Sequence, residues 1–132
     1  METVPQEIAP IILIVDDTED NLDLLEFALK RKPVKMLRAT SGMECLELAE
    51  MEQPDVILLD IQMPEMDGYE TFRRLRANKK TAKIPVVFLT AQRKDPESIE
   101  KGLALGVDEY LTKPIQANRV LAVAKGLLKI VS

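Results

Sequence analysis

Histidine is absent from all 132 residues. That removes histidine-ligated metal sites, Ser-His and Cys-His catalysis, and any phosphohistidine formed on this chain. A phosphoryl group arriving from a histidine would have to come from another molecule. Cysteine occurs once, as Cys45, so no intramolecular disulfide can form and a reducing compartment is expected. No apolar run approaches the ~20 residues that cross a bilayer. The start, Met1–Glu7, is acidic and lacks the basic-then-apolar pattern of a signal peptide, so a cytoplasmic protein with no membrane partner is expected. Excess positive charge is missing too. The 18 Lys and Arg stand against 22 Asp and Glu, which argues against nucleic acid as a direct partner.

What is present suits one globular domain. Hydrophobic residues make up 46% of the chain, enough at this length to build a core without disulfides or a structural metal. Residues 1–10 carry two prolines and no periodicity, and read as a flexible leader ahead of a domain over 11–132. Beyond them, apolar runs alternate with helical patterns. Ile11–Val15 and Val56–Leu59 read as strands buried on both faces, Ile84–Leu89 as a further apolar strand, Val34–Ala39 as a second strand and Val107–Leu111 as a short fifth.

Between these runs lie the helical patterns. Thr18 is placed to cap a helix with Leu22, Leu25, Ala28 and Leu29 on one stripe. A second helix starts at Ser41, with Cys45, Leu48 and Ala49 on one side. Helices are also expected over Tyr69–Ala77, over Pro96–Leu105 with Gly106 as a left-handed stop, and over Gln116–Val131. Strand and helix thus alternate five times. The fold class is α/β, a doubly wound five-stranded parallel sheet with five helices and right-handed crossovers.

The unusual polar residues follow directly on strands. Asp16 and Asp17 follow the first, Asp60 the third, Thr90 the fourth, and Lys113-Pro114 closes the fifth. In a parallel sheet these positions share the carboxyl edge, where open α/β folds bind ligands. Three carboxylates brought together repel, so a cation has to neutralise them. All-oxygen donors favour a hard ion, Mg²⁺ first. A carboxylate can attack phosphorus to form an acyl phosphate, with metal, ammonium and hydroxyl meeting the developing charge. Asp60, Mg²⁺, Lys113 and Thr90 supply that set.

Each residue alone has a plainer reading. Asp16 and Asp17 suit a helix N-terminus, Asp60 a loop, Thr90 a helix cap, Lys113 the solvent, and Tyr110 the core. Cys45 reads as a small buried hydrophobe, and Gly68 as a turn residue near the site. The run Arg73, Arg74, Arg76, Lys79 and Lys80 reads as a solvated helix face. The convergence of four segments sets aside the plainer readings of Asp16, Asp17, Asp60, Thr90 and Lys113 only.

Four stretches carry a family resemblance. They are Ile14-Val15-Asp16-Asp17 with Asn21, Val56 to Gly68 through Asp60 and Met63-Pro64, Leu89-Thr90-Ala91, and Gly106 to Pro114. Together they resemble the receiver domains of bacterial response regulators, over roughly residues 10 to 131. The resemblance implies a flavodoxin-like sheet in the order 2-1-3-4-5. It implies Asp60 as phosphoacceptor, and Asp17, Asp60 and the Gln62 carbonyl as direct Mg²⁺ ligands, with Asp16 acting through a metal-bound water. It implies Lys113 on the phosphoryl group, Thr90 and Tyr110 as the switch, and a cis bond before Pro114. Gln62 and Gln92 would tune the lifetime of the phosphate.

The implied function is phosphorelay signalling. A partner histidine kinase or phosphotransfer protein is the donor. A downstream protein reads the face made by the fourth helix, fifth strand and fifth helix, and the chain is a monomer or a phosphorylation-dependent dimer. The only catalysis expected is the chain's own phosphorylation and autodephosphorylation. An aspartyl phosphatase would usually place an acid two residues after the nucleophile, where this chain has Gln62. A flavin module would want a Gly/Ser/Thr-rich loop after the first strand, where Asp-Asp-Thr-Glu-Asp stands. A receiver-like module that works without phosphorylation would be expected to lack one of the acids or the lysine.

Overall fold

Apolar side chains on both sides of the strands require cover on both faces of the sheet, and the chain provides it with helices packed on each face. The computed structural model describes residues 9–90, 100, 104, 106–107, 109–112 and 116–128. The strands are β1 Ile11–Val15, β2 Lys35–Ala39, β3 Val56–Asp60, β4 Val86–Thr90 and β5 Glu109–Thr112. The helices among the described residues are α1 Glu19–Leu29, α2 Gly42–Glu52, α3 Gly68–Ala77 and α4 Ala117–Leu128. The helix expected over Pro96–Leu105 lies mostly outside the described residues; α4 is the last helix expected. Of the leader, residues 1–8 also lie outside them, whereas Ala9 is buried and the Pro10 carbonyl accepts from Lys35 N at 2.8 Å.

All pairings are parallel, in the order β2-β1-β3-β4-β5. The direction of winding reverses between β1 and β3, and this reversal opens a crevice at their carboxyl ends. Successive residues of a strand point to opposite faces. Leu13 and Val15 of β1 therefore join one core with Cys45, Ala49, Phe72, Leu75 and Phe88. Ile12 and Ile14 join the other, with Leu22, Leu25, Leu29 and Val120. So α1 and α4 cover one face while α2 and α3 cover the other. Each fully buried Leu or Ile contributes about 1.5–3 kcal/mol, so the two cores together hold the strand ends in place.

Helix starts show how local chemistry sets the boundaries. Asp67 Oδ1 accepts from Glu70 N at 2.9 Å and starts α3; Ser41 Oγ accepts from Glu44 N at 3.1 Å and starts α2. Thr18 occupies the corresponding position on α1, but its side chain makes no capping bond. The expected stripe on α1 also narrows, since Leu22, Leu25 and Leu29 are buried but Ala28 is exposed. Gly106 has φ 90°, the left-handed conformation expected of it. Part of the expected basic face is paired locally. Arg73 and Arg74 pair with Glu70, Arg76 lies over the Phe72 ring and donates to the Ile84 carbonyl, and Lys80 pairs with Glu50.

Candidate phosphoacceptor and metal site

Two buried acids sit at the reversal point. Asp16 is 2% exposed and Asp60 4%, burial that an unpaired acid almost never tolerates. Asp60 is the last residue of β3, and Asp16 follows the last residue of β1. Val15 and Leu59 are register partners, so the two carboxylates emerge side by side. Exposed Asp17 completes the group. One oxygen from each of Asp16, Asp17 and Asp60 lies within 4.8 Å of the others. At that separation each pair of like charges costs about 3 kcal/mol or more at an effective dielectric near 20. A neutral hydrogen bond returns only about 0.5–1.5 kcal/mol. Positive charge therefore has to meet the cluster. The donor set, three carboxylates with no imidazole or thiolate, fits a hard divalent cation.

The acids are held by backbone and side-chain donors. The Asp16 amide donates to the Ala39 carbonyl at 3.0 Å, which ties it to the end of β2. Its Oδ1 accepts from Thr18 N at 2.9 Å and its Oδ2 from Asn21 Nδ2 at 3.2 Å. Asp60 Oδ1 accepts from Gln62 N at 3.1 Å. Gln62, whose carbonyl was the expected contributor, holds the Asp60 carboxylate through its amide.

Gly68 brings the following loop back onto Asp60. Its amide donates to the Ile61 carbonyl at 2.8 Å. A Cβ there would lie 2.6 Å from the Asp60 carbonyl oxygen and 2.7 Å from Ile61 Cα. Within the loop, Glu65 takes φ 68°, and Met66 N donates to the Pro64 carbonyl at 2.7 Å, a tight three-residue turn.

Thr90 ends β4 and is partly buried, one residue beyond Leu89, the register partner of Asp60. Tyr110 lies one strand further, partly buried, its ring packed edge-on against Phe88 at 6.0 Å between centroids. Asp16, Asp17 and Asp60 are thus brought together, with Thr90 on the neighbouring strand end. Lys113, Pro114 and Gln92 lie outside the described residues.

The sequence reading missed the Asn21 bond to Asp16 and how closely Gly68 approaches Asp60. The available signals were a weak helix former, Asn21, in the first turn of α1 and the Asp67-Gly68 dipeptide. Cys45 is fully buried in the core, and burial pushes its thiol from 9.0 up to about 12, so it carries no thiolate chemistry at neutral pH. Arg38 spends its charge on Asp23 and Glu26 of α1, which raise its pKa. A separate groove lined by Phe27, Val34 and Met36 lies toward the opposite, amino end of β2.

Comparison with known proteins agrees with this geometry. The response regulator receiver domain family model matches residues 12–125. The alkaline phosphatase synthesis transcriptional regulatory protein PhoP of Bacillus subtilis is 39% identical over 118 residues, covering 89% of this chain and 48% of that protein. The chain spans about half the length of the curated relatives it matches. The Vibrio cholerae chemotaxis protein CheY4 superimposes with a TM-score of 0.82 at 27% identity, covering 90% of this chain and 98% of that one. The receiver domain of the Pseudomonas aeruginosa sensor histidine kinase PA1611, whose structure holds a magnesium ion in its active-site cleft, gives a TM-score of 0.82 at 25% identity over 92% of this chain and 99% of that one.

Proposed function

Because this chain belongs to the response regulator receiver domain family, we propose that it is a phosphorylation switch in a phosphorelay, with Asp60 as the acceptor. The observation that carries the reading is a carboxylate 4% exposed at the sheet's reversal point, grouped with two more acids. A phosphohistidine on a partner kinase or phosphotransfer protein is the donor. An Asp60 oxygen attacks the phosphorus, the O–P bond forms, and the N–P bond breaks. The electron pair of that bond stays on the donor's imidazole nitrogen. Asp16, Asp17, Asp60 and the Gln62 carbonyl are the residues that would hold Mg²⁺. Bound there, the ion would screen the carboxylates and the phosphoryl oxygens.

The remaining roles belong to the chain's own groups. Gln62 N orients the Asp60 carboxylate. The Thr90 hydroxyl donates to the transferred group and the Lys113 ammonium pairs with it, and the bond before Pro114 would be cis. Movement of Thr90 toward the group lets Tyr110 turn inward. The surface made by β5, α4 and the segment before β5 then changes its affinity for a downstream protein or a second copy. Residues 11–132 form the unit that does this, in the cytoplasm, and its only catalysis is its own phosphorylation and dephosphorylation. Incubation with acetyl phosphate and Mg²⁺ should add one phosphoryl group to the intact mass, and none to Asp60→Asn. Equal labelling of the variant would overturn the assignment.

A further inference from the structure

Asp16 is unusually well held for a carboxylate that faces two others. Its backbone amide is tied to Ala39 at 3.0 Å, its Oδ1 receives the Thr18 amide at 2.9 Å, and its Oδ2 receives the Asn21 side-chain amide at 3.2 Å. The last torsion of an Asp side chain is broad and soft. One bond to one oxygen leaves the carboxylate plane free to swing about that contact. Bonds to both oxygens, one from each of two separate donors, fix the plane. Thr18 supplies its share through the main chain, whatever residue stands there. Asn21 supplies the other through its side chain, so of these two bonds it is the one that depends on residue identity.

Asn is a poor choice for helix stability at this place. Position 21 is the third residue of α1, where Glu or Gln often closes a capping box. Asn is one of the weaker helix formers. An acid would repel Asp16, whereas the amide NH₂ can only donate to it. A carboxylate offers about four lone-pair directions, so bonds to Thr18 and Asn21 do not exhaust Asp16 as an acceptor toward the site.

We infer that Asn21 is a positioning residue for the divalent cation: its amide holds the plane of the Asp16 carboxylate, and metal affinity depends on that hold. The inference rests on the acid cluster binding a divalent cation as proposed above. Asn21 touches neither the cation nor the phosphoryl group, and its whole effect passes through Asp16. Loss of a partner that orients a metal-binding group typically weakens metal affinity about 10–100-fold.

The test is Mn²⁺ binding to the full chain, followed by the electron paramagnetic resonance signal of the free ion, in a cycle of wild type, Asn21→Ala, Asp16→Asn and the double variant. Asn21→Ala should weaken Mn²⁺ binding at least about 10-fold. In the Asp16→Asn background the same change should do nothing further, because the group it acts through is gone. A general folding role would instead lower affinity in both backgrounds. Binding by Asn21→Ala within twofold of wild type, or effects that multiply in the double variant, would overturn the inference while leaving the metal site intact. No Mn²⁺ binding by the wild type would remove the metal site itself, and the inference with it.

Discussion

At Gly68 a single hydrogen atom decides whether the loop after β3 can close over Asp60. A methyl group there would meet the Asp60 carbonyl oxygen at 2.6 Å, a backbone atom that cannot rotate away. Gly68→Ala should cost about 1–3 kcal/mol, the usual size of an overpacking penalty. It should also slow labelling by acetyl phosphate, because the displaced backbone carries Asp60. Urea unfolding and intact-mass kinetics measure the two effects. Unchanged stability would mean that the contact is not tight.

Cys45 makes a different residue-scale point. Burial raises its thiol pKa from 9.0 to about 12, so the folded state keeps a proton that the unfolded chain loses above about pH 9. The resulting stability is intact below pH 9 and declines as pH rises from about 9 toward about 12. From pH 8 to pH 10 the wild type should lose about 1.4 kcal/mol more than Cys45→Ala. Urea midpoints at the two pH values give the comparison, and equal losses would contradict it.

At the scale of elements, the helix starts differ in a way that unfolding can read. Asp67 accepts from Glu70 N at 2.9 Å, whereas the Thr18 side chain caps nothing. Asp67→Ala should cost about 1 kcal/mol, and Thr18→Ala only a few tenths. Equal costs, measured by urea unfolding, would show that Thr18 caps α1 in solution. The contrast also marks what the sequence made legible. Continuous apolar runs announced β1, β3 and β4, because burial on both faces leaves few polar positions, whereas β2 and β5 carry Lys35, Arg38 and Glu109 and were read from their place in the alternation. Their ends were less clear. Ile84 was read into a strand that begins at Val86, since Pro85 has no amide to pair, and Val34 N turns back to the Lys32 carbonyl instead of joining the sheet. The three acids were legible because they stand at strand ends. The grips on them from Asn21, Gln62 N and Gly68 were not, because those depend on how loops fold back, which no local pattern encodes.

At the scale of the whole molecule, the acid cluster links stability to cations. Without a cation the folded state holds three carboxylates whose oxygens lie within 4.8 Å, a repulsion the unfolded chain escapes. A ligand that binds only the folded state stabilises it by about 2.7 kcal/mol at a hundred times its Kd. Millimolar Mg²⁺ should therefore raise the Tm by several degrees over EDTA. Asp17→Asn should melt higher than wild type in EDTA and gain less from Mg²⁺. Calorimetry of both proteins in both buffers tests this, and an equal gain would argue that Asp17 takes no part.

The same scale holds the central claim, that the sheet's reversal point makes Asp60 the acceptor. Borohydride reduces an acyl phosphate to the alcohol, converting a phosphorylated aspartate to homoserine. After treatment with acetyl phosphate and Mg²⁺, reduction and peptide mapping by mass spectrometry should place homoserine at position 60 and at no other acid. Homoserine at position 16, 17 or 67 instead, or none in protein that has gained a phosphoryl group, would contradict the account.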